Sequence, residues 1–92
     1  MKLSELNPML GYTESLGHEL SLNCPFCKNR FSIHVNYMGI AKEPYTWGLT
    51  HQEGNFSWDN ITITPSISNH PLAKGITCNN PHFSVINGEI IP

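Results

Sequence analysis

Near its start the chain reads Cys24-Pro25-Phe26-Cys27, and near its end Cys78-Asn79-Asn80-Pro81-His82. Two residues between paired cysteines let both sulfurs reach one ion from a tight turn, and zinc takes Cys and His ligands in a tetrahedron. Cys24, Cys27 and Cys78 are all the cysteines present. One zinc ion held by the three would pin both halves of the chain together. Lys28 and Arg30, just past the pair, suit a turn that carries thiolate charge. The plainer reading is a pair of inert cysteines packed as small hydrophobes. A redox-active Cys-x-x-Cys is a third, but that motif opens a helix after a strand, and no such helix is written here. The fourth zinc position stays open among His82, His34, His18 and His70.

Ser66 is the other residue with chemistry in reach. Pro65 fixes the backbone ahead of it, and the pair closes an alternating apolar stretch. A serine hydroxyl becomes a nucleophile only when a base takes its proton, and histidine is the usual base. Ser66 with His82 would make such a dyad if the fold brings them together. Backbone N–H groups near Ser66 and Ile67 are the natural oxyanion donors, since Pro65 has none. A simple Pro-Ser turn is the plainer alternative. The two roles of His82 compete, because a metal-bound imidazole cannot also serve as a base.

The elements that must position these residues are strands. His18 to Leu22 alternates into the Cys24–Cys27 turn, and Phe31, Ile33 and Val35 alternate with Ser32, His34 and Asn36 on the way out, which predicts a hairpin around the knuckle. Tyr45 to Thr50 predicts a strand, and Phe56 to Thr64 a second one with a bulge or turn at Asp59-Asn60. Pro65 to Pro71 predicts a constrained loop rather than a central strand. A short strand is expected near Ile76-Thr77-Cys78. Phe83 to Ile86 and Glu89 to Ile91 flank Asn87-Gly88, the strongest short hairpin signal available. Leu3, Leu6 and Leu10 have helical spacing, but Pro8 and Gly11 limit any helix to about one turn. The expected architecture is one domain over 1–92, with 1–17 a weakly structured lead-in and 18–91 the core. It is a small all-β fold, mostly antiparallel, stapled by one structural zinc.

Composition agrees with that reading and narrows the partners. Only 13% of the 92 residues are charged, against about 25% in ordinary soluble domains, and exposed helix faces need those residues. A domain this short buries only about 60–65% of its unfolded surface, so a metal staple would matter. The net charge is −2 and the five Lys and Arg are scattered, which argues against a nucleic-acid partner. An odd cysteine count fits a reducing compartment. The apolar run in MKLSELNPML is too short for a signal peptide, and nothing approaches the ~20 apolar residues of a membrane span. The expectation is a soluble, cytoplasmic protein that does not bind membranes.

Several of these segments together resemble a known family. Cys24-Pro25-Phe26-Cys27, Trp47-Gly48-Leu49-Thr50, Ile61 to Asn69 (I-T-I-T-P-S-I-S-N) and Cys78 through His82-Phe83 look like the small bacterial and phage zinc-containing proteins long filed as a domain of unknown function. The match runs in order over about residues 20–91. Members occur beside bacterial ubiquitin-like conjugation genes, where they resemble serine–histidine proteases that trim the tail of the ubiquitin-like protein and cut its conjugates. The resemblance implies Ser66 as nucleophile, His82 as base, and a structural zinc on Cys24, Cys27 and Cys78. The family turn usually reads C-P-C-G-C and its Cys-to-His spacing is two, whereas this chain has C-P-F-C and a spacing of three. The implied partner is a ubiquitin-like protein with an extended C-terminal tail, which Trp47 and Trp58 would wall in. The rival is a non-catalytic zinc-stapled binding module, phage-encoded and aimed at a host protein.

Overall fold

The computed structural model describes residues 1–41, 46–52, 54, 56–67 and 82–92. They form one curled seven-stranded sheet whose spatial order is the chain order. The strands are β1 (Met9–Thr13), β2 (Gly17–Asn23), β3 (Arg30–Tyr37), β4 (Thr46–His51), β5 (Ile61–Ile67), β6 (Phe83–Ile86) and β7 (Glu89–Ile91). Every neighbouring pair is antiparallel except β3 with β4, which is parallel. The only helix among the described residues is a 3-10 turn at Leu3–Leu6. No helix there is long and apolar enough to cross a membrane.

Alternation decides which face is buried. Leu20 and Leu22 of β2 stand opposite Ile33 and Phe31 of β3, and Leu49 of β4 opposite Ile63 of β5. Together with Ile61, Ile67, Phe83 and Val85 they form one buried cluster. The outer face is polar; on it Ser21 and Ser32 hydrogen-bond through their hydroxyls at 2.7 Å. One apolar and one wet face is the ordinary economy of an antiparallel sheet.

The first eight residues close the curl. Ile90 N–H donates to the Met1 carbonyl and Leu3 N–H to the Gly88 carbonyl, each at 2.8 Å, so the chain start covers the β7 edge. The 3-10 turn then carries Leu3 and Leu6 into the core, where both are buried. The Lys2 N–H donates to the Glu5 carboxylate at 2.7 Å and fixes the turn. The segment expected as a weakly structured lead-in thus supplies a core plug and the first strand.

Two further expectations change in detail. Phe56 to Asn60 is not strand; it turns at Trp58 to Asn60, and β5 begins at Ile61. β5 runs through Pro65 and Ser66 to Ile67, between β4 and β6, where a loop was expected. Proline is tolerated there because β5 bulges, as described below. The expected strand near Ile76-Thr77-Cys78, and the stretch from Ser68 to Pro71, lie outside the described residues.

The Asn87-Gly88 turn forms as expected, with φ of 48° and 76°. Gly88 also supports the neighbouring loop: its N–H donates to the Ile61 carbonyl at 2.7 Å. A Cβ on Gly88 would stand 2.6 Å from the Asp59 carbonyl carbon and 2.7 Å from its Cα. Gly88→Ala is therefore expected to cost about 2–4 kcal/mol, from positive φ plus the clash, or roughly 10–20 °C in Tm for a domain this size. Gly17 shares the positive φ but meets nothing within 4 Å, so Gly17→Ala should cost clearly less. Equal losses by thermal melting would refute the contact with Asp59.

Candidate active site

The site is built by an irregularity between β5 and β6. Ile63 pairs with Val85 and Ile67 with Phe83, so Thr64, Pro65 and Ser66 face the single residue Ser84. Extra residues in one strand form a bulge, which re-aims side chains and locally releases the ladder. Pro65, with no N–H to offer, sits where the ladder has no use for one. The Thr64–Pro65 peptide is cis.

Beyond the bulge the register holds Ser66 and His82 beside the Ile67–Phe83 pair. Each precedes its buried neighbour, so the pleat turns both away from the core, Ser66 as a diagonal neighbour of His82. Their side chains meet there: Ser66 Oγ lies 2.9 Å from His82 Nε2. Ser66 is half-buried and His82 exposed, so a large substrate reaches both. The indole N–H of Trp47 donates to the Ser66 carbonyl at 3.4 Å, tying the bulge to β4.

A hydroxyl 2.9 Å from an imidazole nitrogen is within reach for direct proton transfer. With Nε2 unprotonated, His82 would be placed to accept the Ser66 proton. Among the described residues Ser66 is the hydrogen-bond partner of His82.

The Cys24–Cys27 turn is the one expected to hold a metal. It joins β2 to β3, and the N–H groups of Phe26 and Cys27 donate to Cys24 Sγ at 3.4 and 3.5 Å. Amide hydrogens aimed at a sulfur stabilise thiolate charge, which metal ligation requires. Lys28 adopts φ 67° to reverse the chain, and its ammonium donates to the Pro25 carbonyl at 3.0 Å. Asn29 O accepts from the Cys24 N–H at 2.8 Å and closes the loop. This donor set suits half of a tetrahedral zinc site. Cys78 and His70 lie outside the described residues. Among the described ones no third His, Cys, Asp or Glu completes a metal-holding group with the pair. Phe26 packs edge-on against Phe83, centroids 6.2 Å apart, so the knuckle braces the residue next to His82.

The remaining residues singled out in the sequence fall elsewhere. His34 is exposed on β3. His18 lies between Tyr12 and Tyr37, with ring centroids at 4.8 and 5.2 Å. Trp58 packs on Phe56 at 4.9 Å, while Trp47 alone of the two tryptophans touches the Ser66 backbone. A feature that sequence reasoning missed is the aromatic row at the far ends of β1 to β4. Tyr12, His18 and Tyr37 continue into Phe56, and the Tyr37 hydroxyl meets His51 Nε2 at 2.9 Å. Its members come from separate strands and, for Phe56, from the segment after β4, so no local spacing betrays them. Compared with known proteins, the chain matches no family model, no curated protein and no solved structure.

Proposed function

We propose that this protein is a serine-dyad peptidase or deconjugase that processes the C-terminal tail, or the conjugates, of a bacterial ubiquitin-like protein. The observation that carries the reading is the 2.9 Å contact between Ser66 Oγ and His82 Nε2 on a bulge open to solvent. In the proposed reaction His82 takes the Ser66 proton as Oγ attacks the scissile carbonyl. The imidazolium then gives that proton to the leaving amine, and water, activated by the same base, hydrolyses the acyl intermediate. An extended tail is the kind of substrate that could lie across a bulge whose serine is half-buried and whose histidine is exposed. The substrate class itself rests on the resemblance of the Trp47–Thr50, Ile61–Asn69 and Cys78–Phe83 segments.

Cys24, Cys27 and Cys78 would hold a structural zinc, with the fourth ligand open. The amide-to-sulfur bonds at Cys24 support the first of these, and Cys27 stands in the same turn. Zinc there supplies cross-linking rather than chemistry, and Phe26 against Phe83 is the route by which it would steady His82. A second reading is a non-catalytic zinc-stapled binding module. Incubation with a ubiquitin-like protein bearing a C-terminal extension, followed by intact mass spectrometry, separates the two. Release of the extension supports the peptidase; stable binding without cleavage supports the module.

A further inference from the structure

The sheet has two edges and the chain treats them differently. Met1–Leu3 covers the β7 edge by hydrogen bonds to Gly88 and Ile90. On the other side β1 hydrogen-bonds to β2 alone, and no other described residue pairs with its outer row of N–H and C=O groups. Exposed edges are normally guarded by charge, proline or a bulge. The sequence of β1 is Met-Leu-Gly-Tyr-Thr, with no charge, no proline and no bulge against β2. Three large apolar side chains stand exposed here: Met9 at 66%, Tyr12 at 64% and Leu16 at 65%. Pro8 and Glu14 bound the open stretch at either end.

We propose that the β1 edge is a homodimer interface, on which a second copy of this chain adds its own β1 antiparallel about a two-fold axis at Gly11. That register sets Met9 against Thr13 of the second copy, Leu10 against Tyr12, and Gly11 against itself. All five residues of β1 pair, and the ladder stops where Pro8 removes a donor. The β1–β2 hairpin carries a depression of about 100 Å³ lined by Gly11, Tyr12, Thr13, Leu16, Gly17 and Glu19. Met9 lies on the same outer face as Gly11 and Thr13 by the alternation of the strand. The two-fold pairing therefore delivers Met9 of each copy next to Thr13 of the other, at the mouth of this depression. A flexible thioether is suited to an irregular gap. An unrelated strand has no reason to supply such a side chain at that register, whereas a second copy supplies it twice. On the core face, Tyr12 covers Leu10 of the second copy.

A single pair of short strands is a small interface, of the class below about 1,200 Å², so the dimer is expected to form at tens to hundreds of micromolar chain. The proposal is independent of the Ser66–His82 site. Directly opposed antiparallel residues have Cα atoms about 4.5–5.5 Å apart, inside the range a disulfide spans. A Cβ on Gly11 meets only the Glu19 carbonyl oxygen, at 3.9 Å, so Gly11→Cys fits. Under mild oxidation the Gly11→Cys variant should give a covalent dimer, with the disulfide between the two introduced thiols located by peptide mass spectrometry. Glu14→Cys, whose two copies would stand about 20 Å apart, should not. Sedimentation of the wild-type full chain should show a concentration-dependent dimer, with Met9→Lys weakening it at least tenfold. A monomeric wild type at about 1 mM, a dimer indifferent to Met9→Lys, or equal crosslinking of the Gly11→Cys and Glu14→Cys variants overturns the proposal.

Discussion

Ser66→Ala and His82→Gln are each expected to lower cleavage of a tail-extended ubiquitin-like protein by about 10³-fold or more, the scale on which general-base and nucleophilic catalysis operate. The double variant should be no worse than either single one, because members of a dyad fail as a unit. Ser66→Ala removes one hydroxyl from a half-buried position outside the core, so its melting temperature should stay near that of wild type. His82 is exposed, and His82→Gln keeps a polar side chain there. If the single losses multiply in the double variant, Ser66 and His82 do not act together and the 2.9 Å contact is structural.

The second large effect concerns metal. Zinc stripped by a chelator, or Cys24→Ser, is expected to unfold the domain. Structural zinc contributes apparent binding energies of about 10–16 kcal/mol, whereas small domains have net stabilities of about 5–10 kcal/mol. Cys24 is buried, directly follows β2 and accepts two amide hydrogens, so the substitution also disturbs a closed turn. The purified chain should hold about one zinc per molecule by elemental analysis, and Ser66→Ala should keep it. A metal-free preparation that melts cooperatively at the wild-type temperature contradicts the staple. Loss of zinc in His82→Gln would identify His82 as the fourth ligand, remove it as the base, and leave the binding module.

Legibility in the sequence followed the range of the interaction. The Asn87-Gly88 hairpin is written within a few residues, since it needs particular residue types in particular backbone conformations. The burial of Phe31, Ile33 and Val35 follows from simple alternation. Pro65 misled, because proline breaks a regular ladder, yet the register shift between Ile63 and Ile67 gives it a place with no donor to lose. The parallel pairing of β3 with β4 was invisible, as a period of two carries no direction. Leu3 and Leu6 looked like an idle turn, because a core plug is defined by what lies opposite it and not by its own spacing. The approach of Ser66 to His82 belongs to the same category: both residues were recognisable, but only the Ile67–Phe83 register joins them.

The central claim is that His82 activates the Ser66 hydroxyl, and it can be measured without knowing the substrate. A fluorophosphonate reacts with activated serine hydroxyls and with few others. Treated protein should gain one adduct, located on Ser66 by peptide mass spectrometry, and His82→Gln should label at least about 100-fold more slowly, the low end of what a general base contributes. Failure of wild-type Ser66 to label, or equal labelling in His82→Gln, would contradict the dyad.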